Sequence, residues 1–130
     1  MSSAKHLKVI SLVILFSWLG ISCSEDDSSP AKSRDIKFEV TGNFTGALSA
    51  TYVNATGGGA NESIPALPWN KTITYASTVP STAISIGATG GVAGQTVRVK
   101  VFAGGTLVSD TPGVADASGM VVVAAPSYVF

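Results

Sequence analysis

The sequence is poor in the residues that carry most enzymatic chemistry. Its single histidine, His6, and single cysteine, Cys23, both lie near the start, so no residue after position 23 is of either type. This excludes Ser-His-Asp, Cys-His, thiol-redox and His/Cys zinc chemistry from the rest of the chain. Charge is also scarce: eight basic and eight acidic residues make up 12% of the chain and give a formal net charge of zero. Because nucleic-acid binding needs a basic surface, no nucleic-acid partner is expected.

The acidic residues are too scattered to form a recognisable site. Asp110 and Asp116 are the only acids in the last third of the chain, whereas a calcium site needs six or more oxygen ligands. Glu39 and Glu62 stand alone on predicted strands, so no carboxylate pair for glycosidase chemistry is expected. We therefore predict no catalytic residue, no metal and no cofactor. An enzyme would have to use a Ser/Lys or carboxylate mechanism supported by Lys71 or Glu62.

Residues 1–22 are typical of a secretory signal peptide. Lys5, His6 and Lys8 precede an apolar run of 13 residues over positions 9–21. A bilayer-spanning helix needs roughly 20 apolar residues, so this run is short for a permanent span. The alternative is a short N-terminal anchor helix.

The end of this segment resembles the lipobox of bacterial lipoproteins. Ser22 directly precedes Cys23, although Gly20 stands where that motif prefers leucine and Leu19 lies one step earlier. The resemblance implies cleavage before Cys23 and its conversion into a lipid-modified first residue. An unpaired thiol in a secreted chain would otherwise have no internal partner. The alternative is a secreted protein with a free cysteine.

An acidic run follows the cysteine at once. Ser24, Glu25, Asp26 and Asp27 resemble the export signal that directs Bacteroidetes lipoproteins to the outer face of the outer membrane. We therefore expect a protein that is exposed on the cell surface and anchored by lipid in the outer membrane. The membrane is thus its first expected partner. Residues 23–35 are polar and are predicted to form a disordered tether.

Residues 36–130 have the pattern of an all-β domain. Ile36, Phe38 and Val40 alternate with polar residues, and residues 97–101 alternate between valine and a cation. Glycines after Ala103 predict a β-hairpin, residues 111–113 and 116–119 predict turns, and residues 120–125 predict a largely buried last strand. About seven short strands indicate an immunoglobulin-like antiparallel β-sandwich, with a small barrel as the alternative.

The parity of the 97–101 strand also predicts a surface contact point. Arg98 and Lys100 face water, and Phe102 falls on the same side by parity. An exposed phenylalanine beside two cations is a candidate binding surface, although single exposed apolar residues are common. Trp69 and Tyr75, in contrast, are expected in the core.

The order of several segments resembles the MmpS family of small membrane-anchored mycobacterial proteins, which have a β-sandwich outside the membrane. The segments are residues 38–42, 50–52, 67–69, 97–101 and 104–105. The family commonly has a cysteine pair near Val97 and near Val121 or Val122, and apolar packing would replace that bridge here. The resemblance also implies a role beside large exporters of lipids or siderophores, which a surface lipoprotein would not share.

These features favour a non-enzymatic accessory or binding module for membrane or envelope components. One alternative is a structural subunit of a fimbria-like or adhesive assembly, in which the last strand or residues 127–130 pair with a neighbouring copy through an open sheet edge. The other alternative is an accessory protein of a lipid or siderophore exporter.

Replacement of the predicted acylation site is the first test. Cys23→Ala should abolish incorporation of a clickable fatty acid, because no other cysteine can accept the lipid. Ser28→Ala, five residues along the same segment, should leave labelling unchanged. Equal labelling of the two variants would contradict the prediction.

Overall fold

The computed structural model describes residues 32–130, which form one unit. The predicted signal peptide, Cys23 and the acidic run at Ser24, Glu25, Asp26 and Asp27 lie outside the described residues. No helix in the described part of the chain is long and apolar enough to cross a membrane.

Ten strands make up the secondary structure. They are β1 (Asp35–Gly42), β2 (Ala47–Val53), β3 (Gly59–Ile64), β4 (Trp69–Thr74), β5 (Ser81–Thr82), β6 (Ile84–Thr89), β7 (Thr96–Ala103), β8 (Thr106–Val114), β9 (Val121–Ala124) and β10 (Tyr128–Val129).

The strands form two antiparallel four-stranded sheets and one short ribbon. Sheet A has the order β4-β1-β7-β8, and sheet B has the order β3-β2-β6-β9. The two-residue strands β10 and β5 pair with each other. In sheet A the two central strands are β1 and β7, and in sheet B they are β2 and β6. Along the chain, β2 and β6 both lie between β1 and β7. The predicted all-β antiparallel sandwich is confirmed, with eight longer strands where about seven were expected.

The core lies between the two sheets and follows the alternation seen in the sequence. In β1, Ile36, Phe38 and Val40 have no exposed surface, and the polar residues between them face outward. In the neighbouring β7, Val97 and Val99 are equally buried. Because successive side chains of a strand point to opposite faces, these two strands fix which face of sheet A is covered.

The eighth strand overturns one prediction. Residues 111–113 were expected to form a turn, but they lie within β8. A proline on the outermost strand need not interrupt a ladder, because its nitrogen can face away from the neighbouring strand. Gly113 has a further reason to be there: a Cβ at that position would collide with the side chains of Val121 and Val123. The second half of β8 therefore lies directly against β9.

The ninth strand was also predicted incorrectly in part. Instead of being largely buried, it alternates: Val121 and Val123 are 6% and 2% exposed, while Val122 is 73% exposed. An all-valine run carries no polar residues to reveal which side faces water, so its period is invisible in the sequence.

Both ends of the described chain are held at the same end of the sandwich. Arg34, in the segment predicted as tether, donates hydrogen bonds to the carbonyl oxygens of Ala76 and Val79 at 2.7 and 2.8 Å. The folded part therefore begins before residue 36. We call this the Lys32 end; it also contains the turns at 54–58 and 104–105 and the tail 127–130. The far end contains the loops 43–46, 65–68, 90–95 and 115–120.

Two neighbouring valines test this arrangement with the same chemical change. Val123→Ala should lower the free energy of unfolding by about 2 kcal/mol, because it removes buried methyl groups and leaves a cavity. Val122→Ala should change the free energy of unfolding by no more than about 0.5 kcal/mol. Urea unfolding of both variants measures the difference, and equal losses would contradict the register of β9.

Candidate functional site

The predicted contact residues lie on the outer face of sheet A, among paired charges. Arg98 forms a two-point ion pair with Asp110 of β8, with Nε–Oδ1 and Nη2–Oδ2 distances of 2.6 and 3.0 Å. The hydrogen bond from Arg98 holds the pKa of the Asp110 carboxyl below its ordinary value, and Asp110 in turn raises the pKa of Arg98. The fork geometry, which only arginine offers, makes this the best-defined ion pair on the face.

Lys100 lies between two acids. It is in register with Glu39 on β1 and with Asp110 on β8. It makes the smallest of the contributions that lower the pKa of Asp110. The outer face of sheet A is therefore a mosaic of balanced charges and does not form a basic patch.

Phe102 faces outward as predicted, but its closest cation is a different residue. It is half-buried, it follows a bulge after Val101, and the Nζ of Lys37 lies 5.5 Å from its ring centroid. Lys37 is the cross-strand neighbour of Phe102 in β1. A shallow depression surrounds the pair, lined by Asp35, Ile36, Lys37, Thr72, Phe102, Gly104 and Gly105. The single sequence did not reveal this pairing because it depends on the register of two distant strands.

The residues that an enzymatic mechanism would have needed are engaged with each other. Lys71 on β4 and the hydroxyl of Tyr52 on β2 both donate to the same Glu62 oxygen, at 3.1 and 3.3 Å. Hydrogen bonds raise the pKa of Lys71; the larger contribution comes from Tyr52 and the smaller one from Glu62. The three side chains connect the two sheets along the β3–β4 edge. Tyr52 also lines a shallow, mostly apolar depression with Val53 and Ile84, whereas Lys71 and Glu62 line none of the depressions found among residues 32–130. Their geometry is that of a structural link.

The outer face of sheet B differs sharply from that of sheet A. It carries no charged side chain among the residues described in β2, β3, β6 and β9. Its outward positions are Ala47, Ser49, Thr51, Val53, Gly59, Asn61, Ser63, Ser85, Gly87, Thr89, Val122 and Ala124. The two outer faces of the sandwich thus offer very different chemistry: one is charged and the other is neutral and built of small side chains.

The far end exposes apolar side chains that the sequence reasoning missed. Hydrogen bonds from Gly91 to Gly119 and from Gly94 to Ala115 join its two glycine-containing loops. On them Val92 is 62% exposed and Met120 is 45% exposed. In the sequence, the only sign of this surface is that single apolar residues stand in loops containing glycine.

Asp116 shapes this end through hydrogen bonds within its own turn. Its carboxylate accepts hydrogen bonds from the Ser118 hydroxyl and from the backbone nitrogens of Ser118 and Met120, which lower its pKa. Within residues 32–130 no group of three or more His, Cys, Asp or Glu residues is placed to hold a metal ion.

Comparison of the sequence with protein-family models and with curated proteins finds no match.

The Arg98–Asp110 pair generates a pH prediction. Because the folded-state pKa of Asp110 is depressed, the pair stabilises the fold above the ordinary carboxyl pKa of 3.8, and this stabilisation is lost as the pH falls through the lower, folded-state value. Arg98→Gln should raise the titration midpoint of Asp110 measured by carboxyl NMR. Lys100→Gln should raise it less. An unchanged midpoint in Arg98→Gln would show that the ion pair does not form in solution.

Proposed function

We propose that this chain is a non-enzymatic lipoprotein of the outer membrane surface, held through Cys23, whose β-sandwich is a binding or accessory module for envelope components. One observation carries the proposal: Ser22 and Cys23 end a signal-like segment and an acidic run follows directly. The folded unit then begins at Lys32, nine residues after Cys23. An acylated cysteine, a short connection and a β-domain form a self-consistent arrangement for surface display.

The packing of the tail favours a self-contained module over a subunit that lends a strand. Tyr128 and Val129 pair with β5 of the same chain. The ring of Phe130 lies 5.3 Å from that of Tyr75 and 4.6 Å from the Arg34 guanidinium. A strand that must join a neighbour would first have to give up these contacts.

The inner side of this contact is built around one tyrosine. The Tyr75 hydroxyl donates to the Val53 carbonyl oxygen at 2.6 Å and accepts from Thr82 at 2.7 Å. Burial raises the pKa of Tyr75, so this hydroxyl stays protonated and able to donate over the physiological range. The tail therefore covers a tyrosine whose hydroxyl already has both of its hydrogen-bond partners inside the domain. This supports the tail's role as part of the domain.

The far end is the candidate surface for a protein partner. It lies opposite the point where the chain enters the domain, so a membrane anchor leaves it accessible. Its exposed Val92 and Met120 offer apolar contact area with only Asp116 as a charged side chain in the described loops there. Apolar area with few charges is typical of the centre of a protein interface.

The assembly hypothesis retains two observations in its favour. The last strand, β9, is an outermost strand of sheet B, and its Val122 is 73% exposed. Leu107 and Val108, on the outermost strand of sheet A, are 47% and 41% exposed. An outermost strand with exposed apolar residues is a common place for strand addition. The role beside an exporter rests on the MmpS resemblance alone.

Photo-crosslinking on intact cells separates these hypotheses. A photoreactive residue at Val92 should form crosslinks with an unlike envelope protein, whereas one at Val122, which is even more exposed on sheet B, should not. A ladder of self-crosslinked species that disappears when residues 127–130 are removed would instead establish an assembly subunit and overturn the proposal.

A further inference from the structure

We propose that the Lys32 end of the domain docks on the lipid surface of the membrane that carries the anchor. This inference rests on the proposed lipid attachment at Cys23, and it assigns that end a role beyond covalent linkage. Its occupant is the bilayer surface itself, recognised by cations, aromatic rings and exposed aliphatic side chains.

The covalent chain limits how far this end can be from the bilayer. Lys32 is nine residues after Cys23, and a fully extended chain spans at most about 3.3–3.6 Å per residue, so the two residues are at most about 30 Å apart. The eight residues of β7 span about 26 Å at the usual rise of a strand. The Lys32 end therefore stays within about one domain length of the lipid. The far end is free to lie a further domain length away.

The Lys32 end exposes aliphatic side chains on two different elements. Leu107 and Val108 follow the turn between β7 and β8, and Val129 belongs to β10. They are 47%, 41% and 56% exposed. Aliphatic side chains at a surface held close to a bilayer can leave water by entering the interfacial region.

Charge distinguishes this end from the opposite one. Lys32, Arg34 and Lys37 cluster around the start of β1. Asp35 lies among them, and Lys37 Nζ is 3.5 Å from a carboxylate oxygen of Glu39, so the cations outnumber the nearby acids by one. The loops of the far end carry Asp116 and no cation. Both ends expose aliphatic side chains, but only the Lys32 end combines them with an excess of positive charge, which complements anionic lipid headgroups.

Each of these cations lies beside an aromatic ring. The three pairs, with their distances to the ring centroid, are Lys32 with Tyr128 at 5.4 Å, Arg34 with Phe130 at 4.6 Å, and Lys37 with Phe102 at 5.5 Å. Aromatic rings and long cationic side chains are the groups that the boundary between headgroups and acyl chains accommodates, because each has an apolar body and a polar part. Their repeated pairing at one end points to a lipid-facing surface.

Fluorescence quenching on vesicles tests the docking. The mature lipidated protein, with one added cysteine carrying an environment-sensitive fluorophore, is reconstituted into phosphatidylcholine vesicles containing phosphatidylglycerol and a nitroxide-labelled lipid. Fluorophores at Val108 and Val129 should lose fluorescence to the nitroxide, whereas those at Val92 and Val114, which are 62% and 63% exposed at the far end, should not. Flotation of the same vesicles reports lipid attachment separately.

Charge variants supply the matched control. Lys32→Gln and Lys37→Gln together should reduce the quenching at Val129, as should added salt, while Lys100→Gln in the middle of sheet A should leave it unchanged. Protein that floats with the vesicles but is unquenched at Val108 and Val129 would overturn the docking and leave the anchoring intact. Protein that does not float would overturn both. Equal quenching at all four positions would also overturn the docking.

Discussion

The fold depends on the burial of one face of β1. Its inward residues Ile36, Phe38 and Val40 have no exposed surface, and its backbone pairs on both sides, with β4 and with β7. Because β1 is fixed in this way, the chain that precedes it can enter the domain only at the Lys32 end. The position of the Lys32 end follows from that constraint, because β1 begins there and cannot shift its register without exposing the core.

Around this core the surface is divided by chemistry. Sheet A carries six charged residues on its outer face, with cations and acids in equal number, whereas the outer face of sheet B carries none among its described residues. The two ends differ as well: one combines cations with rings, and the other has apolar loops and a single acid. The surface proposed to face the membrane and the surface proposed to bind a partner therefore differ in their chemistry.

The sequence predicted the parts of the fold in which polar and apolar residues alternate. The strands containing Phe38 and Val99 were identified in this way, as was the hairpin after Ala103. Where that contrast is missing, prediction failed: the valines of β9 did not show which side is buried, and Pro112 suggested a turn although an outermost strand accepts it. Propensity and pattern describe one strand at a time, so the tertiary position that decides such cases is not visible to them.

The candidate surfaces show the same division. The outward direction of Arg98, Lys100 and Phe102 could be predicted from parity, but their partners Asp110 and Lys37 lie on other strands and became evident only with the register. The contact of Arg34 with the carbonyl of Val79 was missed for the same reason, since a polar segment before the first strand has the composition of a tether. Cross-strand partners require the topology, and a single sequence does not contain it in readable form.

The central claim is that the mature protein begins with a lipid-modified Cys23. Mass spectrometry of the N-terminal peptide, from protein extracted in detergent from its native membrane, tests this most directly. The account predicts a first residue at Cys23 whose mass is raised by a diacylglyceryl group. A first residue at any other position, or Cys23 with a free thiol, would contradict it.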